Sequence, residues 1–272
     1  MRVLLSIGIV GVGTTVAWLA GGESLVQCAA LAFGVNLLAF VPAYLRRTEV
    51  FYDLVGSLTY LSLVGFALAL GESGWRGMVL AGCVGVWAIR LGSFLFRRIS
   101  RDGKDGRFDD IKQSAGRFLV AWTLQGAWAL LTSLACLVLL TGGSSADPAW
   151  TDLGFGIWLA GFAIEVVADQ QKNAFRARGG GGWIDEGLWR WCQHPNYFGE
   201  ITLWTGLFIV AAGHLTGWGW LAVLSPLMVV LLLTQVSGIP MLRERADARW
   251  GDDRAYQDYR TRTPVLIPRP PR

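Results

Sequence analysis

The sequence predicts an all-α integral membrane protein, a polytopic helical bundle of seven to eight transmembrane helices. Hydrophobic residues make up 53% of the 272 residues and charged residues only 16%. The mean hydropathy is +0.42, far from the balance of a soluble globular domain. The 14 tryptophans fit the aromatic belts that form at membrane interfaces.

Eight apolar segments approach the length of about 20 residues that a bilayer-spanning helix needs. The first is nearly a full span, so we expect a retained helix and no cleavable signal peptide. The last two are short and could fold as one bent element, which leaves seven spans open. The predicted spans are residues 3–20, 24–45, 50–71, 76–96, 117–141, 150–171, 198–213 and 217–237.

The charges predict the orientation. If Met1 is cytoplasmic, the outer turns "GGES", "GESGW", "TGGSSADPA" and "GHLTGWG" hold almost no cations. Arg76 lies at an outer edge and Arg90 inside a span, and the other 22 of the 24 lysines and arginines fall on the opposite side. The positive-inside rule therefore places both termini in the cytoplasm. The basic loops also suit contact with anionic membrane lipid.

We expect one membrane domain over residues 1–272. It would comprise N-terminal helices at 1–45, a catalytic bundle at 46–237 and a cytoplasmic tail at 238–272 that contributes to a cofactor site. The loops leave no room for a soluble catalytic domain. Any chemistry is therefore expected where the cytoplasmic loops meet the bundle.

Metal chemistry and nucleic-acid binding are not expected. The four cysteines show no paired spacing, and the two histidines, His194 and His214, fall on opposite sides of the membrane in this topology. The glycines of "GIVGVG" at 8–13 lie inside a span with no preceding strand, which favours helix packing over a phosphate turn.

The sixth span carries polar residues that a membrane segment rarely holds without a reason. Glu165 and Asp169 lie one turn apart on one helix face, and the polar stripe continues to Arg176. A structural alternative is a snorkelling rim in which Asp169 pairs with Lys172 or Asn173. The deeper carboxylate of Glu165 is harder to explain in that way.

The stretch "RGGGGW" at 178–183 follows this span. Its four glycines, beside Arg176 and Arg178, would let backbone amides approach an anion closely. The alternative is a flexible linker.

Two early spans contain further polar residues. Tyr52 and Asp53 enter the membrane at the cytoplasmic side of the third span, with Tyr60 beyond them, and the fourth span contains Trp87 and Arg90. Asp53 and Arg90 could instead form a structural ion pair across the bundle.

The stretch "WCQHPNYFGE" at 191–200 places polar side chains where the seventh span begins. Pro195 can start a helix because the first helical position needs no amide hydrogen. Asn196 and Glu200 share a face and offer an amide and a carboxylate for recognition of another amide or of sugar hydroxyls.

The tail adds guanidinium groups that match phosphate oxygens. Amide and diphosphate receptors on one membrane face predict a dinucleotide site. We assign to it Glu165, Asp169, Arg176, Arg178, His194, Asn196, Tyr197, Glu200, Arg243 and Arg245.

The segment "HPNYFGE", the upstream pattern E-x-x-x-D-x-Q-K and the terminal "RTPVLIPRPP" resemble bacterial membrane proteins grouped with the steroid 5α-reductases. The resemblance covers roughly residues 45–272. It implies a reductase in the bacterial inner membrane that uses NADPH, bound on the cytoplasmic side, to saturate the C=C bond of an enone lipid such as a 3-oxo-4-ene steroid. Asn196, Glu200 and Asp169 match the family's site positions, whereas Glu165 stands where steroid reductases have asparagine.

The resemblance also implies a tyrosine and an acid that polarise the substrate carbonyl. In this chain we assign these roles to Tyr52 and Asp53. Tyr60, Trp87 and Arg90 are expected to contact the hydrophobic substrate.

Two alternatives remain open. Isoprenylcysteine and phospholipid methyltransferases, which bind S-adenosylmethionine, carry a similar R-H-P-x-Y segment, but this chain has Gln193 before His194. A lipid-binding or scaffold protein would need no cofactor.

Overall fold

The computed structural model describes residues 1–142 and 148–271, and in these residues the protein forms helices and no strand. This confirms the predicted all-helical class. The α-helices are α1 (Arg2–Leu45), α2 (Tyr52–Leu70), α3 (Trp75–Asp102), α4 (Ala115–Thr132), α5 (Leu134–Thr141), α6 (Pro148–Ala177), α7 (Pro195–Ala212), α8 (Leu224–Leu231), α9 (Ile239–Trp250) and α10 (Arg254–Arg262).

Helix α1 covers the first two predicted spans. Its 44 residues depart from helical geometry at Gly21 (φ −164°, ψ 22°) and Gly22 (φ 65°, ψ −145°), between the predicted spans 3–20 and 24–45. The positive φ of Gly22 lies in the region that glycine adopts without steric cost. A straight helix of this length would measure about 66 Å, roughly twice the hydrocarbon thickness of a bilayer.

Five helical stretches in the described part of the chain are long and apolar enough to cross a membrane, or six if the bent pair of α4 and α5 forms one span. Helix α7, which occupies the predicted span 198–213, is not among them. The count of seven to eight spans and the orientation of the termini therefore stay predictions. The five are Arg2–Leu45, Tyr52–Leu70, Trp75–Arg101, Ala149–Ala177 and Gly217–Trp250.

The predicted span 117–141 bends by 56° between α4 and α5. Ser133 Oγ donates a hydrogen bond to the carbonyl oxygen of Ala129 at 2.5 Å, and Ser225 Oγ donates to the carbonyl oxygen of Thr132. The Ser225 hydroxyl thereby supplies a donor to a backbone oxygen at the bend. The predicted outer turn that follows, at 141–149, lies partly outside the described residues.

The last predicted span, 217–237, is irregular. It begins as a 3₁₀-helix at Gly217–Val223, continues as α8 and ends in a π-helical turn at Leu232–Val236. Helices α9 and α10 follow in the tail. Asp253 caps α10 because its carboxylate accepts a hydrogen bond from the amide of Ala255 at 2.8 Å.

The chain divides into two compact units. The first comprises Met1–Thr151 and Val210–Ser225, and the second comprises Asp152–Ile209 and Pro226–Arg272. The single domain predicted from the sequence stays a prediction. The residues assigned to catalysis and substrate contact belong to the first unit, and all those assigned to the cofactor belong to the second.

Candidate functional site

In the second unit, α6 and α7 pack backbone against backbone at their glycines. A β-carbon added at Gly199 would lie 2.6 Å from the amide nitrogen of Glu165, and one added at Gly206 would lie 2.6 Å from that of Trp158. No side chain larger than hydrogen fits at such distances. Glu165 is thereby held against the first turns of α7.

The same contacts fix the register of the antiparallel pair. Gly199 lies against Glu165 and Gly206 lies against Trp158, so seven residues forward along α7 correspond to seven residues back along α6. Asp169, one turn beyond Glu165, is therefore level with the start of α7 at Asn196. Glu165 and Asp169 are 2% and 8% exposed, so both carboxyl groups are buried beside this helix end.

Helix α7 begins at Pro195, as the sequence predicts. The amide of Phe198 donates to the carbonyl oxygen of His194 at 3.1 Å, which makes His194 the capping residue. The rings of His194 and Tyr197 stack with their centroids 5.4 Å apart. The amino end of a helix carries partial positive charge and attracts anions.

Two cations from different helices act on His194. The pKa of His194 is lowered to about 4, chiefly by burial and also by the positive charges of Lys172 and Arg243. The Lys172 ammonium also lies over the ring of Trp189, 4.8 Å from its centroid. The start of α7 therefore lies near cations of α6 and α9 as well as beside the buried carboxyl groups of α6.

The C-terminal tail holds the segment that precedes α7. The backbone amide of Gln193 donates to the carbonyl oxygen of Pro264 at 2.8 Å, and its side-chain amide donates to that of Thr263 at 2.6 Å. The amide of Arg269 donates to the carbonyl oxygen of Trp191 at 3.0 Å. These bonds fix the position of the capping residue that follows.

The 3₁₀-helix Gly187–Arg190 docks on α6. The indole nitrogen of Trp189 donates to the carbonyl oxygen of Ala168 at 3.0 Å, and Tyr259 Oη donates to that of Trp189 at 2.9 Å. Ala168, Ile184 and Trp189 form the buried core here. Burial raises the pKa of the Tyr259 hydroxyl above its ordinary range.

Of the other residues that the sequence assigned to a cofactor, Arg176, Arg243 and Arg245 are exposed and Glu200 is half-buried. Arg178 pairs with Glu186. In the glycine loop, the amides of Gly179 and Gly180 donate to carbonyl oxygens at the end of α6, each at 3.1 Å. Those two amides therefore close the helix and do not face an anion.

In the first unit, Tyr52 belongs to an aromatic cluster. Its ring centroid lies 4.7 Å from that of Phe108 and 4.9 Å from that of Trp122. The Tyr52 hydroxyl donates to the carbonyl oxygen of Ala121 at 2.9 Å. Phe118 completes the cluster and is fully buried.

Asp53 contacts two guanidinium groups. Its carboxylate lies 3.5 Å from Arg98 and 3.8 Å from Arg107. Burial on its own would raise the pKa of Asp105, but hydrogen bonds from Arg107 and the charges of Arg107 and Arg98 outweigh it and hold this pKa below the ordinary value. Asp53 thus joins a network with Arg98 of α3 and with Arg107 of the loop at 103–114.

Tyr60 and Trp87 form a second cluster in the first unit. Their rings meet edge to face with centroids 5.0 Å apart, and both side chains are buried. The hydroxyls of Tyr60 and Thr132 are hydrogen-bonded at 2.5 Å. Arg90 lies over the ring of Phe94 at 5.9 Å. Tyr52 and Tyr60 are about two turns apart on α2 and join different clusters.

Three residues with contacts around the start of α7 were absent from the predicted site residues: Lys172, Trp189 and Gln193. Lys172 lies on the predicted polar stripe, three residues after Asp169, and that spacing was the available signal. Gln193 and Trp189 act through bonds to distant residues, for which a single sequence contains no signal.

Among the described residues, no group of three or more histidine, cysteine or acidic side chains is arranged to hold a metal ion.

The long apolar helices and the polar residues gathered at their ends define a helical membrane protein. The chain belongs to the family described as "Protein of unknown function (DUF1295)", whose model matches residues 39–263. This family lies within the steroid 5α-reductase-like superfamily.

Two curated proteins are similar to the chain. An uncharacterized protein of Schizosaccharomyces pombe is 22% identical over 192 residues, or 58% of this chain. The 3-oxo-5-alpha-steroid 4-dehydrogenase 1 of Rattus norvegicus is 29% identical over 117 residues, or 42% of this chain. The matched parts cover 56% and 40% of these relatives, so the chain spans about half the length of the curated proteins it matches. No solved structure matches the chain.

Proposed function

We propose that the protein is a membrane-embedded, NADPH-dependent reductase that saturates the C=C bond of an enone lipid. The observation that carries the proposal is the packing of the start of α7 level with the buried carboxyl groups of α6, where the charges of Lys172 and Arg243 also lower the pKa of His194. Similarity to a protein named as a steroid 4-dehydrogenase supports the Δ4 bond of a 3-oxo-4-ene steroid as the substrate class.

The residues at α7 fit a phosphorylated dinucleotide. Lys172, Arg243 and the positive end of α7 suit the diphosphate. Asn196 can both donate to and accept from a carboxamide, and the buried carboxyl groups of Glu165 and Asp169 can accept from amide or ribose hydroxyl donors. The exposed Arg176, Arg178 and Arg245 are proposed to distinguish NADPH from NADH.

When bound, NADPH would supply a hydride to the β-carbon of the enone, and a proton from water would complete the saturation at the α-carbon. Negative charge then develops on the carbonyl oxygen, which needs a hydrogen-bond donor. We assign that role to Tyr52, oriented by Asp53. The Tyr52 hydroxyl donates to the Ala121 carbonyl oxygen, so it must exchange that partner for the substrate oxygen.

The substrate is proposed to be apolar and to reach the protein from the membrane. Tyr60, Trp87 and Arg90 are assigned to contacts with it, and two of these side chains are aromatic and buried. We further propose the bacterial inner membrane as the location, with the cofactor site facing the cytoplasm.

A thermal-shift titration of the detergent-purified protein tests the proposal, since a ligand that binds only the folded state raises the unfolding temperature according to its affinity. NADPH, NADH and S-adenosylmethionine are compared in parallel. We expect NADPH to raise the unfolding temperature most. In a second assay, we expect the absorbance of NADPH to fall only when an enone is added. A shift with S-adenosylmethionine alone would overturn the proposal and favour a methyltransferase.

A further inference from the structure

Trp122 on α4 is fully buried, yet in the described part of the chain no residue accepts a hydrogen bond from its indole nitrogen. Buried donors without an acceptor are rare, because the lost hydration is not replaced. The other buried members of the aromatic cluster are Ala43, Phe108 and Phe118, which carry no polar side-chain atom. An unmet donor in apolar surroundings is suited to the oxygen of an otherwise apolar ligand.

The surroundings of Trp122 narrow the ligand class. Its ring lies 4.9 Å from that of Tyr52, 5.9 Å from Phe51 and 6.0 Å from Phe118, each measured between centroids. Such walls favour a flat hydrocarbon skeleton and disfavour a charged or multiply hydroxylated ligand. A carbonyl oxygen accepts from an indole N–H and has no proton of its own to satisfy.

Phe108 is the buried cluster member best placed to move aside for a ligand. Of the four buried members of the cluster, it alone lies outside an α-helix, in the 103–114 loop between α3 and α4. Because the loop carries this ring, movement of the loop would move the ring. Glu49 ties the loop down, since its carboxylate accepts from the Asp105 amide at 2.9 Å and from Lys112 at 2.8 Å.

We propose that Trp122 donates a hydrogen bond to the carbonyl oxygen of an apolar ketone that binds in the aromatic cluster, beside Tyr52. The inference rests on the proposed function in taking the ligand to be an enone lipid. It adds a substrate-recognition residue that the sequence analysis did not assign. Tyr52 and Trp122 would then present two donors to one oxygen, which is the arrangement that a developing negative charge requires.

The test compares two ligands that differ in one oxygen, androst-4-en-3-one and androst-4-ene. Purified full-length protein labelled with ¹⁵N at the tryptophan indoles is titrated with each ligand without cofactor. The Trp122 resonance is assigned from Trp122→Phe. We expect the ketone to shift this resonance downfield and the hydrocarbon to leave it in place.

Affinity gives a second measurement, which does not depend on catalysis. Trp122→Phe should weaken ketone binding by about tenfold, the loss typical of one neutral hydrogen bond, and leave hydrocarbon binding unchanged. Trp158→Phe is the matched control, because Trp158 on α6 is also buried with no acceptor for its indole nitrogen. This control should change neither affinity.

Three results would overturn the inference: a Trp122 resonance that the ketone does not move, equal losses for both ligands in Trp122→Phe, or the same losses in Trp158→Phe. If Trp122→Phe does not fold, Trp122→Tyr takes its place. Ketone binding through Trp122 without any affinity for NADPH would contradict the reductase and leave this inference standing. NADPH binding with no ketone binding would contradict this inference and leave NADPH as the proposed cofactor.

Discussion

The carboxylate of Glu49 and the ammonium group of Lys112 lie 2.8 Å apart, and Glu49 is only 4% exposed. The hydrogen bond to Glu49 is the main reason that the pKa of Lys112 lies above its ordinary value. Because Lys112 belongs to the 103–114 loop and Glu49 precedes α2, this pair fixes the loop next to the Tyr52 cluster.

Replacing Lys112 with methionine should lower the free energy of unfolding by about 1–3 kcal/mol, because a buried carboxylate loses its partner. Thermal unfolding of the detergent-purified protein measures the effect. Lys104→Met is the control, since Lys104 is 70% exposed and its 3.6 Å pair with Asp109 is screened by water. Equal shifts for the two variants would contradict a special role for Glu49.

Replacing Asn196 with alanine should weaken NADPH binding by about 1–3 kcal/mol, the range for a lost buried hydrogen bond. Titration calorimetry or thermal shift reports the dissociation constant. Gln170→Ala, at an exposed amide on α6, is the matched control and should bind as the wild type does. An unchanged affinity in Asn196→Ala would remove this residue from the site.

Arg243→Gln should weaken NADPH binding by roughly tenfold or more, because a charged partner of the diphosphate is lost. The salt dependence of binding should become shallower as well. Arg249→Gln removes an exposed arginine from the same helix and serves as the control. If both variants bind NADPH equally well, Arg243 does not contact the cofactor.

The protein should lose stability as the pH falls from about 6.5 to about 4, the window between the ordinary and native pKa values of His194. In this window the unfolded chain binds a proton that the folded chain refuses, so acid favours unfolding. The full loss would be about 3 kcal/mol. Unfolding temperatures measured across this range should decline less steeply in His194→Gln, and parallel curves would refute the assignment.

Tyr52→Phe should lower turnover about a hundredfold or more, the usual effect of removing a hydrogen-bond donor to developing negative charge, while NADPH affinity stays close to that of the wild type. Steady-state rates with an enone and NADPH titrations separate the two effects. Tyr44→Phe, in a ring stacked on Phe40 beside the same cluster, should retain turnover. Joint loss of turnover and NADPH binding in Tyr52→Phe would indicate misfolding.

Hydropathy predicted most helices well because transfer from water to lipid depends on local composition. The predicted span 50–71 agrees closely with α2 at Tyr52–Leu70. The bend between α4 and α5 escaped prediction, because it depends on Ser225, 93 residues away from Thr132. No periodicity within a segment reports such a bond.

The parts of the candidate site that depend on local sequence were predictable, and the parts that depend on contacts between distant residues were not. Glu165 and Asp169 on one face and the helix start at Pro195 are local patterns. The approach of Lys172 and Arg243 to His194 is not local, since it needs three helices to meet. Similarly, the contacts of Asp53 with Arg98 on α3 and with Arg107 in the 103–114 loop join residues far apart in sequence, and no local pattern predicted them.

The glycine contacts between α6 and α7 set the register of one helix against the other, so this register does not depend on the length of the segment that joins them. Extra residues at the exposed Gly181 and Gly182 would lengthen a surface turn and leave Gly199 against Glu165. One extra residue between Trp158 and Glu165 would instead rotate the following carboxylates by about 100° around the helix axis. Chains that share this site are therefore expected to vary in length in the turn and to keep a constant spacing within each helix.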